Sequence, residues 1–196
     1  SPVLELAHQL LVQRRGQAAV VCQPRERFCV CAFLGVQRSV HGVVAQLLTQ
    51  EQGKPLADAT GEVFGTAAFF RYFMSLDLPV KVIDDSDGRR VEVHRRPLGV
   101  VGAIVPWNFP LILMAFKVPP ALIAGNTMVL KPAPTTPLST LRLGELIKDI
   151  VPAGVLNIIT DANDLGAPLT AHPNIRKISF TGSTATGAKV MAGAAG

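Results

Sequence analysis

Residues Gly99 to Pro132 read GVVGAIVPWNFPLILMAFKVPPALIAGNTMVLKP. Val100–Val105 is a short apolar run closed by Pro106, the pattern of a strand buried on both faces. Leu111–Ile123 is helix-length and apolar, with Lys117 as its only charge, and Thr127–Leu130 is a second buried strand. A connection of that length is too long for a hairpin, so the two strands run parallel with a crossover between them.

The alternation continues downstream. Thr136 before Pro137 predicts an N-cap and a helix to about Ile150. Val155–Ile159 reads as a third strand, Leu165–Ala171 as a shorter helix, Arg176–Phe180 as a fourth strand, and Ser183 onward as a further helix. The fold class is α/β, a Rossmann-like parallel sheet with flanking helices.

Upstream, Val3, Leu4, Ala7, Leu10 and Leu11 share a helical face, and Ala18 to Val40 has no clear period. Helices are predicted around Val43–Gln50, ending near Gly53-Lys54-Pro55, and over Leu56–Met74, with Val63, Ala67, Phe70 and Met74 on one face. Asp84 to Gly88 predicts a turn between extended runs Val80–Ile83 and Val91–His94, the second with Val91 and Val93 inward and Glu92 and His94 outward. The chain divides into 1–42, 43–98 and 99–196.

The composition restricts the function classes. The 196 residues are 48% hydrophobic and only 17% charged, too apolar for a disordered chain. Cys22, Cys29 and Cys31 are too few for a disulfide framework, and no second Cys/His pair completes a metal site. Ser1-Pro2-Val3 shows no basic leader before an apolar core, so a cytoplasmic setting without a signal peptide is expected. Pro97 to Phe116 carries no charge, but Pro106 and Pro110 would break a membrane helix, so no membrane span is expected. The net charge of +5 permits an anionic ligand. Arg14-Arg15, Arg89-Arg90 and Arg95-Arg96 are pairs without an aromatic platform, so nucleic acid is not the expected partner.

Ligands of such sheets sit beyond the carboxyl ends of the strands. After the first strand, two prolines hold Asn108, a rigid donor suited to a developing oxyanion; alternatively Asn108 caps the next helix and Trp107 fills the core. After the second, Lys131 projects an ammonium toward ribose or phosphate, or is a solvated lysine. After the fourth, Gly182 and Ser183 open a helix whose first turn suits a pyrophosphate.

The stretches Pro106-Trp107-Asn108-Phe109-Pro110, Gly125 to Pro132, and Phe180-Thr181-Gly182-Ser183-Thr184, in that order, resemble the NAD(P)-dependent aldehyde dehydrogenase superfamily. Gly154 to Ile158 and His172-Pro173 fall in place between them. The likeness is close from about Val91, looser through Glu51–Pro55 and Ala59–Glu62, and slight before Val43. It implies a cofactor domain, here incomplete, binding NAD or NADP, with an aldehyde as substrate of the full-length protein. It gives Asn108 the oxyanion hole of the thiohemiacetal and Lys131 the adenosine ribose. Ile104, Val105, Pro106 and Trp107 would line the cofactor cleft. Gly182 and Ser183 would approach the pyrophosphate, with Phe180 and Thr181 beside them.

Two departures from the family pattern bear on the cofactor. Many NAD-preferring members carry Glu three residues after the lysine, where this chain has Pro134. A glycine-bearing loop after the third strand is replaced by Asp161-Ala162-Asn163, in which Asp161 either bonds a ribose hydroxyl or caps the next helix. The family's nucleophilic Cys and general-base Glu fall after the Gly-Ser-Thr motif, so these 196 residues alone are expected not to oxidise aldehydes. The competing readings are a non-catalytic nucleotide-binding module and a degenerate gene product. A homo-oligomer is expected for a full-length protein, and self-association or aggregation for this length alone.

Overall fold

A computed structural model describes residues 38–195. The expectations placed on Val3–Leu11, on Arg14-Arg15, on Cys22, Cys29 and Cys31, and on the unpatterned stretch as far as residue 37 lie outside the described residues.

Helix α1 (Arg38–Gln52) stops where Gly53 adopts a φ of +87° and returns its N–H to the Thr49 carbonyl at 2.9 Å. Helix α2 (Leu56–Ser75) buries Ala59, Glu62, Val63, Thr66, Ala67 and Phe70, the stripe expected of a one-faced helix, with Met74 half-buried at its end. A hairpin follows, β1 (Lys81–Ser86) and β2 (Arg89–Val93), antiparallel about Asp87-Gly88. The strands extend into the acidic run that the sequence assigned to the turn, because Arg89 and Arg90 pair with Asp84 and Asp85. The expected inward Val93 is exposed and Glu92 is half-buried between Arg90 and His94. The hairpin has no core on either side among the described residues, so nothing enforces a period of two.

The parallel sheet comprises β3 (Val100–Ile104), β4 (Thr127–Lys131), β5 (Leu156–Ile158) and β6 (Ile175–Phe180), in the order β5-β4-β3-β6. Between β3 and β4 the single helix expected over Leu111–Ile123 is two, α3 (Pro110–Ala115) and α4 (Val118–Ile123). Pro119 and Pro120 have no N–H to give to the preceding turn, and their rings crowd its carbonyls, so the chain breaks at Phe116-Lys117.

Helices α5 (Leu138–Ile147), α6 (Gly166–Thr170) and α7 (Thr184–Gly193) complete the order. Thr136 does not cap α5. Its hydroxyl donates to the Trp107 carbonyl at 3.3 Å, and Glu51 at the end of α1 accepts the N–H groups of Leu138 and Ser139 at 2.6 and 3.1 Å. A long-range carboxylate does what the local Thr was expected to do.

Alternate strand residues face opposite ways. Val101, Ala103, Val105, Met128 and Leu130 pack against α1 to α5, while Ile104 and Val129 pack with Ile159, Leu165 and Leu169 toward α6 and α7. β4 and β5 are laid successively to one side of β3, and β6 returns to its other side. In open α/β sheets such a reversal, here between β3 and β6, is the place where ligands bind, at the carboxyl ends of the strands.

Candidate functional site

The ends of three neighbouring strands are level. Val105 donates its N–H to the Lys131 carbonyl at 3.1 Å, and Thr181 donates to the Ile104 carbonyl at 3.1 Å. Beyond Val105 the chain leaves the sheet through Pro106. Trp107 is 57% exposed and does not fill the core. Nor does Asn108 cap α3: the N-cap position is Phe109, and Glu62 Oε1 accepts the N–H groups of Leu111 and Ile112 at 2.9 and 3.2 Å.

Glu62 and Lys54 form a buried ion pair beneath this loop. The Lys54 ammonium also donates to the Asn108 carbonyl at 3.0 Å and lies 4.0 Å from the centre of the Phe109 ring. With Thr136 on the Trp107 carbonyl, the loop is held by its backbone. The exposed Asn108 amide makes no hydrogen bond among the described residues.

At the end of β4, Lys131 is neither solvated nor open. Its side chain is 5% exposed, and Nζ sits 2.7 Å from Oδ1 of Asp161, whose side chain is fully buried. Asp161 Oδ2 accepts the Leu165 N–H at 3.0 Å, so the helix-capping role expected of Asp161 is present together with the ion pair. Burial by itself raises the Asp161 pKa. The hydrogen bond from Lys131, the backbone N–H groups of Leu165 and Asn163, and the Lys131 charge outweigh it and hold the carboxyl below its usual range. Pro134 is exposed at the second position of a turn that Thr136 closes onto Ala133 at 3.1 Å.

At the end of β6, the Phe180 ring folds back so that a Cβ on Gly182 would lie 2.5 Å from it, and any larger residue there would push the ring aside. Ser183 is the N-cap of α7, its Oγ accepting the Thr186 N–H at 3.2 Å. The N–H groups of Thr184 and Ala185 have no acceptor within the helix. Thr181 Oγ1 accepts from the buried Lys117 at 2.6 Å, and burial pushes the Lys117 ammonium pKa down.

Ile104, Val105, Pro106, Trp107, Asn108, Lys131, Phe180, Thr181, Gly182 and Ser183 therefore lie at the carboxyl ends of neighbouring strands, and Pro134 lies in the turn that directly follows β4. The sequence reading assigned no role to Lys117, Lys54 or Glu62. Lys117 carried a signal, being the only charge between Arg96 and Lys131, and so did Glu62, an acid inside the apolar stripe of α2. These strand ends offer an exposed amide on a loop whose backbone is held, a cation with its counter-ion and two outward N–H groups at a helix start.

A family model described as aldehyde dehydrogenase family matches residues 32–196, beginning upstream of the motif likeness. The chain is 46% identical over 157 residues to the mitochondrial succinate-semialdehyde dehydrogenase of Arabidopsis thaliana, covering 78% of this chain and 30% of that protein. It is 46% identical over 153 residues to the NADP(+) succinate-semialdehyde dehydrogenase GabD of Escherichia coli, covering 76% and 32%. A crystal structure of aldehyde dehydrogenase from Brucella melitensis biovar abortus superposes with a TM-score of 0.89 at 36% identity, covering 97% of this chain and 41% of that one. The chain thus spans about a third of the length of the curated relatives it matches. Among the described residues no helix is long and apolar enough to cross a membrane.

Proposed function

This chain belongs to the aldehyde dehydrogenase family, and from that premise we propose that it carries the dinucleotide-binding sheet of an NAD(P)+-dependent enzyme oxidising an aldehyde to a carboxylic acid. The observation that supports this reading most is the meeting of Asn108, Lys131 and Ser183 at the ends of adjacent strands β3, β4 and β6, astride the reversal of strand order.

The residues fit such a ligand. The start of α7, with Gly182 bare and Thr184 and Ala185 N–H groups outward, takes the pyrophosphate. Lys131 meets a ribose hydroxyl, and Ile104, Val105, Pro106, Trp107, Phe180 and Thr181 form the walls. When bound, the dinucleotide supplies a hydride acceptor. Asn108 holds its amide toward the reacting oxygen, and the Lys54–Glu62 pair keeps its backbone from moving, so the donor needs no reorganisation as charge develops. No cysteine follows Cys31 in these 196 residues, so they serve the dinucleotide side of the reaction.

Titration with NADH, followed by energy transfer from Trp107, tests the reading. Saturable transfer is expected, weakened about tenfold or more by Lys131→Ala. Folded protein showing no saturation would end it.

The hairpin exposes Val80, Val82, Ile83 and Val93, which supports self-association of this chain and a homo-oligomer of the longer protein. Light scattering should give more than the monomer mass. A single monomeric species would remove that part of the proposal. A cytosolic setting accords with the low cysteine content.

A further inference from the structure

We infer that Asp161 sets nucleotide choice, making NAD(H) rather than NADP(H) the ligand of this site; this rests on the dinucleotide reading above. The two nucleotides differ only at the adenosine 2′ position, a hydroxyl in one and a phosphate in the other. A phosphate carries roughly two negative charges and needs uncompensated cations.

Lys131 is the cation at the strand ends where the ribose would lie, and it is compensated. Its Nζ is 2.7 Å from Asp161 Oδ1, and the Asp161 side chain is fully buried. The carboxylate is pinned from the other side by the Leu165 N–H at 3.0 Å, so it cannot swing away when a ligand arrives. The second-nearest acceptor of the ammonium, the Pro132 carbonyl, is at 3.5 Å, which leaves donor capacity for a ribose hydroxyl.

The flanking loops add no further cation. Pro132 to Pro137 after β4 contains no Lys or Arg, and Ile159 to Thr170 after β5 contains Asp161 and Asp164 but no basic residue. A 2′-phosphate would meet a pair with no net charge. A 2′-hydroxyl would meet a fixed donor. Pro134, which by itself left nucleotide choice open, is thus answered by a carboxylate from the neighbouring strand end.

The test is the ratio of NADH to NADPH dissociation constants for the 196-residue chain, read by energy transfer from Trp107. NADH is expected to bind at least about tenfold tighter. Asp161→Asn keeps one acceptor oxygen, for Lys131 or for Leu165 but not both, and frees the ammonium charge; it should narrow the ratio about tenfold, chiefly by tightening NADPH. Loss of packing alone would weaken both nucleotides and leave the ratio unchanged, so an unchanged ratio in folded Asp161→Asn overturns the inference. Equal or tighter NADPH binding by the unsubstituted chain overturns it without any variant. Failure of both nucleotides to bind would instead sink the dinucleotide reading itself.

Discussion

On one face of the sheet, α1 to α5 seal Leu48, Leu111, Met114, Met128 and Leu130 completely; on the other, five-residue α6, through Leu169, and a helix α7 with no buried residue lie over Ile104 and Val129. Ile175, Ile178, Phe180 and Val190 stay half-buried on that second face, and Met191 is 77% exposed. Each face also holds one buried ion pair. Glu62–Lys54 on the deep side anchors the Asn108 loop, and Lys131–Asp161 on the thin side lies at the strand ends. The contrast teaches that rigidity and access have been separated. The Asn108 loop is braced by the finished core, while the proposed nucleotide end lies on the thinly covered face, where local opening is cheapest.

The largest effects should come from the deep face. Glu62→Ala orphans Lys54 and two helix N–H groups and should cost about 3–5 kcal/mol. Leu130→Ala should cost about 2–5 kcal/mol, against about 1 kcal/mol or less for Val190→Ala on the thin face. Urea melts compare the three, and similar losses on both faces would break the contrast.

A smaller effect sharpens it by pH. The folded Asp161 pKa is lowered, so its contribution is complete above the unfolded carboxyl value of about 3.9 and is lost as pH falls through the lower folded value. Acid melts of Asp161→Asn should therefore fall less steeply with pH than those of the unsubstituted chain. Parallel curves would show that the pair adds nothing on this face.

Much of this was legible in the residues. The runs at Val100, Thr127, Val155 and Arg176 became β3 to β6 within a residue or so at most ends; β3 and β4 are buried apolar runs, while β5 and β6 are only half-buried and carry Asn157, Arg176 and Lys177. The Asn108, Lys131 and Gly182-Ser183 positions followed from the strand ends. Three local readings failed, each for a different reason. Glu51 displaced Thr136 as the cap of α5, Pro119 and Pro120 divided the predicted helix, and the hairpin lacked a core to impose alternation.

The order of apolar runs and breakers determined that the chain would be a parallel α/β sheet and where its strand ends would carry chemistry, since periodicity and proline act over a few residues. Which charges would meet was decided only by folding. Asp161 comes to Lys131 from 30 positions away, Lys54 to the Asn108 carbonyl from 54, and Glu62 to the Leu111 N–H from 49. Those pairings depend on strand order and helix placement, so no local pattern encodes them; they form because a charge buried without its counterpart is too costly to leave alone.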